Sequence, residues 1–321
     1  MTSRYTPARI ARAIERRARW KIAEEYAVAK ARYASLRGDP VDLRSVFSHV
    51  DDESWLALNT RGLRSSGTLR KLLPSMPDPT LQKNYIGSSG DPALREAWKA
   101  YCLWRELAAR HGRPIGADSY VLDFGCGWGR TIRFFLRDVP PNQLYGADVL
   151  DEAIRVSRET NKVCQFVQVP SSPPSELPAG RFDLIYLYSV FSHLSEEVHQ
   201  KWLNEFHRLL RPGGILIATT WQREYIERCE RARNGNTQGT HPDSLRAFVG
   251  TEDWLARYDR GEFCFSPVGG ASGALEASYY GETCIPEAYV RKNWSDRFDI
   301  CEYLYADSKR LWQNAIVARR R

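Results

Sequence analysis

The run Asp123-Phe124-Gly125-Cys126-Gly127-Trp128-Gly129-Arg130 is where this chain concentrates residues able to bind a ligand through the backbone. Glycines at alternate positions after a short β-rich run let the chain turn tightly and let a ligand approach it closely, which describes a nucleotide-type cradle. A dinucleotide fingerprint requires G-x-G-x-x-G, but here the third glycine comes one place early and Arg130 stands where that fingerprint needs Gly. No G-x-x-x-x-G-K-[ST] loop is present, so a dehydrogenase and a phosphate-loop NTPase both fit poorly. Further on, Tyr145-Gly146-Ala147-Asp148 puts a carboxylate at the end of a second β-rich run, where open α/β sheets bind ligands. A carboxylate there can accept both hydroxyls of a ribose. A lone Asp at a strand end is otherwise a helix cap or turn former, and the glycine turn one run earlier favours the ligand reading.

The elements that must position these residues follow from the hydrophobic pattern. From residue 120 onward, short β-rich runs alternate with helical patterns, the signature of parallel strands joined by crossover helices. The pattern predicts strands at 120–124, 143–148, 163–169, 181–188 and 214–220, and helices at 129–138, 151–161 and 195–210. Arg211-Pro212-Gly213-Gly214 stops the last helix and launches the fifth strand. A helical cap is expected over 41–117, with a helix at 92–111 and a polar glycine-bearing loop at 84–90. Residues 1–40 form a module of their own, with ten basic and four acidic side chains. Between Pro7 and Arg37 there is no internal Pro or Gly, and Ile10, Ile14, Ala18, Ile22, Tyr26, Ala29, Tyr33 and Leu36 recur three or four apart. This predicts a helix whose apolar stripe buries against the body of the protein or a second copy while its Arg-rich face stays wet. A basic helix docking on nucleic acid or an anionic membrane is the other reading.

Composition bounds the class. The 321 residues are 43% hydrophobic, 12% aromatic and 26% charged, enough apolar content for a real core. The net charge of +7 resides almost wholly in residues 1–40, so the rest of the chain lacks the pervasive basic character of a nucleic-acid enzyme. No apolar stretch approaches the roughly 20 residues that span a bilayer, and the charged N-terminus does not resemble a signal peptide. The seven scattered cysteines form no CxxC pair, which argues against a disulfide framework or zinc site and fits a cytoplasmic location. No metal is expected.

Together, VLDFGCGWGR, YGADV, FDLIYLYSVFSHL and LLRPGGILIATT, in that order and spacing, resemble the successive motifs of class I S-adenosylmethionine (SAM)-dependent methyltransferases. The resemblance covers about residues 118–220 and continues more weakly to the chain end, where FDICEYLYAD and NAIVARR look like the family's closing antiparallel strands. It implies an α/β, Rossmann-like fold with a seven-stranded, mostly parallel sheet and an antiparallel last strand. The helical extension would precede a methyltransferase domain at 118–321, with a substrate-side insertion between strands 5 and 6 at about 221–284. It further implies SAM as cofactor and S-adenosylhomocysteine as product. Asp123, Gly125, Cys126, Gly127 and Gly129 match the loop that holds the methionine part. Asp148 matches the acidic residue on the ribose, and Val149 the border of the adenine. Where many relatives carry an acidic residue near the adenine amino group, this chain has Gln168-Val169-Pro170. Arg130 is either a partner of the SAM carboxylate or simply solvated.

Tyr188 and Ser189 match the end of the fourth strand, where the reactive methyl faces the acceptor. The sequence there is Tyr188-Ser189-Val190-Phe191 rather than the [DNS]-P-P-[YFW] of many nucleobase amino-methyltransferases, and no Pro-Cys nucleophile is present. Nucleobase methylation is thus disfavoured, and the WGR turn, the SVFSHL segment and the terminal NAIVARR strand resemble those of small-molecule or glycan-modifying methyltransferases, a resemblance that implies transfer to a hydroxyl of a small molecule, sugar or glycan precursor. His193, just beyond the fourth strand, is either the general base or a structural hydrogen-bonding residue. His199 and His207 are expected to be ordinary packing or surface residues. Among the aromatics of the insertion, Tyr279 and Tyr280 beside Gly281 are the candidate substrate contacts, with core packing as the expected role of most others. Two further readings stay open: an RNA or protein methyltransferase that docks through its basic helix, and a catalytically silent scaffold that pairs through it. A homo-oligomer through the same helix is a further expectation.

Overall fold

The computed structural model describes residues 7–63, 66–235, 245–270, 273–307 and 309–321. It opens with helix α1 (Pro7–Arg37), which spans the predicted residues but lies the other way up. Trp20, Ala23, Ala27 and Ala31 face the protein, whereas Ile14, Ile22, Tyr26, Tyr33 and Leu36 of the predicted buried stripe are exposed. The side chain of Ile10 lies outside the described residues. Small alanines let α1 lie close against short helices, and the one bulky anchor, Trp20, joins a cluster with Leu43, Phe47 and Trp55. Those helices are α2 (Leu43–Phe47), capped by Asp42, and α3 (Asp52–Ala57), capped by Asp51, which runs on through a wide turn at Leu58–Gly62. After α4 (Gly67–Leu72), α5 (Pro79–Ile86) starts on Asp78-Pro79 and ends on Gly87, whose φ of 72° suits a glycine. The predicted loop at 84–90 is therefore shorter, since Asn84, Tyr85 and Ile86 form the last turn of α5. Helix α6 (Asp91–Arg110) packs its apolar side, including Leu94, Tyr101, Trp104 and Leu107, into the main core.

The sheet begins with β1 (Val121–Phe124) and continues with β2 (Leu144–Asp148), helix α7 (Asp151–Thr160), β3 (Gln165–Gln168), β4 (Phe182–Leu187), helix α8 (Glu196–Leu209) and β5 (Leu210–Thr220). An insertion follows, with α9 (Arg223–Arg233), α10 (Trp254–Asp259) and the short strands β6 (Cys264–Ser266) and β7 (Glu282–Cys284), which pair antiparallel as a separate ribbon. Helix α11 (Glu287–Asn293), β8 (Phe298–Leu304) and β9 (Asn314–Arg320) close the chain. The seven-stranded order is β3-β2-β1-β4-β5-β9-β8, with β9 antiparallel to both neighbours. Strands buried on both faces, such as β1 and β4, read as continuous apolar runs because helices cover each side.

One predicted helix takes another form. Residues 129–138 make a tight 3₁₀ coil at Ile132–Arg137, and every one of those six side chains is buried. With no solvent face, the segment is shaped by what it must reach. Arg133 donates to the Asn59 carboxamide (3.2 Å) and to the carbonyls of Ser75 (3.2 Å) and Pro74, and Arg137 donates to the Val50 carbonyl at 2.9 Å and pairs with Asp52. Trp55 Nε1 donates in return to the Phe134 carbonyl at 2.9 Å. These buried bonds tie the helical cap to the sheet domain.

Candidate functional site

Parallel pairing brings the C-terminal ends of β1, β2 and β4 to one edge: Phe124 lies opposite Ala147, and Asp123 opposite both Gly146 and Tyr186. The chain leaves β1 through Gly125, Gly127 and Gly129, with φ of 73°, 53° and 73°, a left-handed geometry that side chains other than glycine rarely adopt. At Gly125 there is a second requirement. A Cβ there would lie 2.3 Å from Cγ2 of Val190, just beyond β4, so the turn and the β4 exit touch only because this residue is glycine.

Asp148 closes the turn from the neighbouring strand. Its Oδ2 accepts from Gly127 N at 2.9 Å and its Oδ1 from Leu150 N at 3.0 Å. Burial raises its pKa, and the amide hydrogen bonds from Leu150, Gly127 and Val149 oppose that rise. Asp123, buried beneath the turn, is pushed by burial up to about 7, against the pull of the Tyr186 hydroxyl and the Arg130 charge. Val149 is half-buried, and its carbonyl accepts from Gln168 Nε2 at 3.4 Å, which holds the Gln168 amide at the rim where the sequence lacks an acidic residue. Cys126 is buried under the turn, with burial driving its thiol well above the usual range. Tyr85, at the end of α5, covers the turn: its ring carbon lies 3.5 Å from where a Cβ on Gly127 would be. Its phenol is pushed up to about 12 by burial and by the charges of Asp148 and Glu152.

Arg130 is not simply solvated. It is buried, 3.3 Å from Oε1 of Glu96 on α6, with its guanidinium 4.9 Å from the Tyr188 ring. Glu96 Oε1 also accepts from Tyr188 Oη at 2.8 Å and Trp312 Nε1 at 3.0 Å. The helical cap thus contributes a carboxylate to the edge of the site that sequence reasoning missed, because nothing in the pattern of α6 distinguishes Glu96 from other polar positions.

At the β4 exit, Ser189 adopts φ of 62°, a strained conformation for serine. It is held there by Ser189 N donating to Thr219 Oγ1 at 2.7 Å, Thr219 Oγ1 donating to Gln313 Oε1 at 2.5 Å, and Gln313 Nε2 donating to Ser189 Oγ at 3.0 Å. His193 Nδ1 lies 2.9 Å from the Gly281 carbonyl, which can only accept, so Nδ1 carries a proton and Nε2 is the nitrogen that holds the lone pair when the ring is neutral. Nε2 faces Ser189 Oγ at 3.4 Å, a long separation. The imidazole stacks on Tyr280 (5.0 Å between centroids, 9° between planes), and its Nδ1 stands 3.8 Å from Glu282 Oε1. Of the two candidate substrate tyrosines, both half-buried against the sheet core, Tyr280 is therefore at His193, while the Tyr279 carbonyl accepts from Ser195 N at 2.9 Å. Trp221 stacks face to face on Tyr225 at 3.9 Å and lies 5.0 Å from Trp312, completing an aromatic wall. His199, expected to be a packing residue, sits in the core between Phe191, Phe263, Tyr289 and Trp294.

Two buried polar atoms at the glycine turn, Tyr85 Oη and Trp128 Nε1, have no hydrogen-bond partner among the described residues, and neither has Ser88 Oγ just after α5. Donors of this kind left unpaired are costly unless a ligand satisfies them, so the cradle fits a polar ligand with its own acceptors. A glycine turn on β1, a carboxylate ending β2, a strained β4 exit and a sheet ending in an antiparallel hairpin define a class I methyltransferase domain. The comparisons agree: residues 122–216 match the family model of a methyltransferase domain. An uncharacterized protein of Rickettsia prowazekii is 32% identical over 99 residues, 30% of this chain and 40% of the relative. Trans-aconitate 2-methyltransferase of Paracidovorax citrulli is 28% identical over 111 residues, 35% of this chain and 41% of the relative. The chain thus spans about two-fifths of the length of these curated relatives. Among solved structures, a SAM-dependent methyltransferase of Mesorhizobium loti shares 14% identity, with 70% of this chain and 98% of that chain covered at a TM-score of 0.46.

Proposed function

We propose that this protein transfers a methyl group to a hydroxyl of a small molecule, sugar or glycan precursor, with His193 as the base. The observation that carries the reading is the placement of His193, with Nδ1 anchored on the Gly281 carbonyl and Nε2 beside the β4 exit. SAM, when bound, supplies a methyl on a sulfonium that is already activated, so the protein's work is alignment and exclusion of water. Asp123, Gly125, Cys126, Gly127 and Gly129 would hold the methionine end and Asp148 the ribose. Val149 would border the adenine, and Tyr188 and Ser189 would face the transferred group. Arg130 is placed to meet the cofactor carboxylate if it exchanges part of its contact with Glu96.

With SAM bound, an acceptor hydroxyl at Nε2 of His193 would give its proton to that nitrogen while its oxygen gains the methyl group, whose bond to the sulfonium sulfur breaks to leave a neutral thioether. Glu282, 3.8 Å from Nδ1, compensates the positive charge the ring then carries. Tyr280, Trp221 and Trp312 give an aromatic wall suited to the flat or apolar face of a sugar or ring system. Domain limits at 1–40, 41–117 and 118–321, with the insertion on the acceptor side, belong to the same proposal. The test is His193→Asn. Turnover is expected to fall at least about a hundredfold, the usual scale of a lost general base, while SAM affinity by calorimetry stays within about twofold. Unchanged turnover removes His193 from the chemistry and the hydroxyl reading with it.

A further inference from the structure

Helix α1 has two apolar faces, and the protein buries only one, although Tyr26 of the other meets the His49 ring edge-on at 4.3 Å. Trp20, Ala23, Ala27 and Ala31 are packed, whereas the opposite face exposes Ile14 (65%), Ile22 (65%), Tyr26 (40%), Tyr33 (60%) and Leu36 (88%). At 100° per residue these two sets lie about half a turn apart, and the exposed stripe runs for about 33 Å along the helix. Ala18 and Ala29 lie in the same stripe and are exposed. Basic side chains border it on both sides: Arg17, Lys21 and Arg32 along one edge, Arg19, Lys30 and Arg37 along the other, with Lys21 paired to Glu24 at 2.6 Å and Arg37 to Asp39 at 3.0 Å. Two acidic residues fall within it, Glu15, paired with Arg19 at 2.5 Å, and Glu25. The helix as a whole carries nine basic and three acidic residues, one of the acids, Glu24, being buried.

We infer that the outer face of α1 docks on an anionic lipid surface, the helix lying in the plane of the headgroups. The occupant has to accept isoleucine and leucine side chains along a convex ridge and also bring negative charge to both edges. Phosphates of a nucleic acid supply the charge but give nothing to Ile14, Ile22 and Leu36. A second copy of α1 covers the apolar stripe but sets two rows of arginine and lysine against two more, across a seam where flanking like charges repel. An anionic bilayer meets both requirements at once: the aliphatic side chains enter the headgroup boundary, Tyr26 and Tyr33 sit at the interface with their hydroxyls wet, and the basic rows meet lipid phosphates. No helix among the described residues is long and apolar enough to cross a membrane, which is consistent with a helix that lies on one. The inference is independent of the identity of the methyl acceptor.

The test is co-sedimentation of the full chain with vesicles of phosphatidylcholine alone and of phosphatidylcholine with one-third phosphatidylglycerol. Binding to the anionic vesicles is expected, at least about tenfold weaker on the neutral ones, and weakened by salt. The double variant Ile22→Asp/Leu36→Asp is expected to lose at least tenfold in partitioning with an unchanged thermal midpoint, since both side chains are already in water. Arg17→Gln/Arg32→Gln should lose about fivefold per charge and provides a second readout that leaves the apolar stripe intact. No binding, or equal binding to both vesicle types, overturns the inference. A dimer in sedimentation velocity that Ile22→Asp/Leu36→Asp dissolves assigns the face to a second copy instead. RNA binding lost in Arg17→Gln/Arg32→Gln but retained in Ile22→Asp/Leu36→Asp assigns it to nucleic acid; either result also overturns the lipid assignment.

Discussion

Gly125 offers the most direct test of how the β1 turn and the β4 exit depend on each other. In Gly125→Ala, a residue with a side chain has to hold φ of 73°, which costs about 1–2 kcal/mol for an L-residue in the left-handed region. The added Cβ lies 2.3 Å from Val190 Cγ2, where carbon atoms ordinarily rest about 3.5–4 Å apart. Relieving that overlap means displacing either the turn or the β4 exit, an overpacking cost of about 1–3 kcal/mol. The single variant should therefore lose about 2–5 kcal/mol. Val190→Ala alone removes two methyl groups from a half-buried position and should cost about 1 kcal/mol. In the double variant the overlap disappears but the backbone strain stays, so the two changes should couple by about 1–3 kcal/mol. Urea unfolding of the four proteins, with equal slopes, measures this coupling directly. Additivity within about 0.5 kcal/mol would refute the contact, and with it the claim that glycine is needed at 125 for proximity as well as for φ.

Other outcomes follow from the same geometry. Asp148→Asn replaces a carboxylate that accepts from both Gly127 N and Leu150 N with a group having one acceptor oxygen, and should cost about 1–3 kcal/mol in urea unfolding together with a marked loss of SAM affinity. Tyr85→Phe removes a buried hydroxyl with no partner among the described residues, so stability should change by less than about 0.5 kcal/mol while calorimetry shows weaker SAM binding; unchanged affinity would mean that the hydroxyl does not meet the ligand. His199 is held neutral by burial, which lowers it to about 3. The unfolded chain takes up a proton near pH 6.5 that the folded chain refuses until about pH 3. Stability should therefore fall as pH falls across that window, by at most about 5 kcal/mol, and His199→Leu should flatten that stretch of the curve of urea midpoint against pH.

The alternating β and helical runs after residue 120 were legible because both faces of a parallel sheet are covered, which leaves unbroken apolar strands and amphipathic crossovers in the sequence. The same logic located the glycine turn and Asp148, since both follow directly from strand ends. It failed at Ile132–Arg137, where buried arginines hide the absence of a solvent face, and at α5, whose last turn was read as loop because Asn84 and the following glycine are poor helix formers. At α1 the periodicity was right and the orientation wrong. Two apolar stripes share that helix, and bulk in the sequence does not reveal that the alanine-rich one permits the closer approach.

By itself, then, the sequence determined what local pattern can encode: the class of fold, the strand whose end carries the glycine turn, the carboxylate on the next strand and the existence of a long basic helix. Tertiary structure alone decided which distant residues share the site. Glu96, Glu282, Thr219 and Gln313 come from a cap helix, an inserted ribbon, the fifth strand and the approach to the last strand, and they meet Arg130, His193 and Ser189 only because the crossovers and the antiparallel closing hairpin return the chain to one sheet edge. Sequence separation carries no record of such meetings, since periodicity reports which face of an element is apolar and not which other element will cover it.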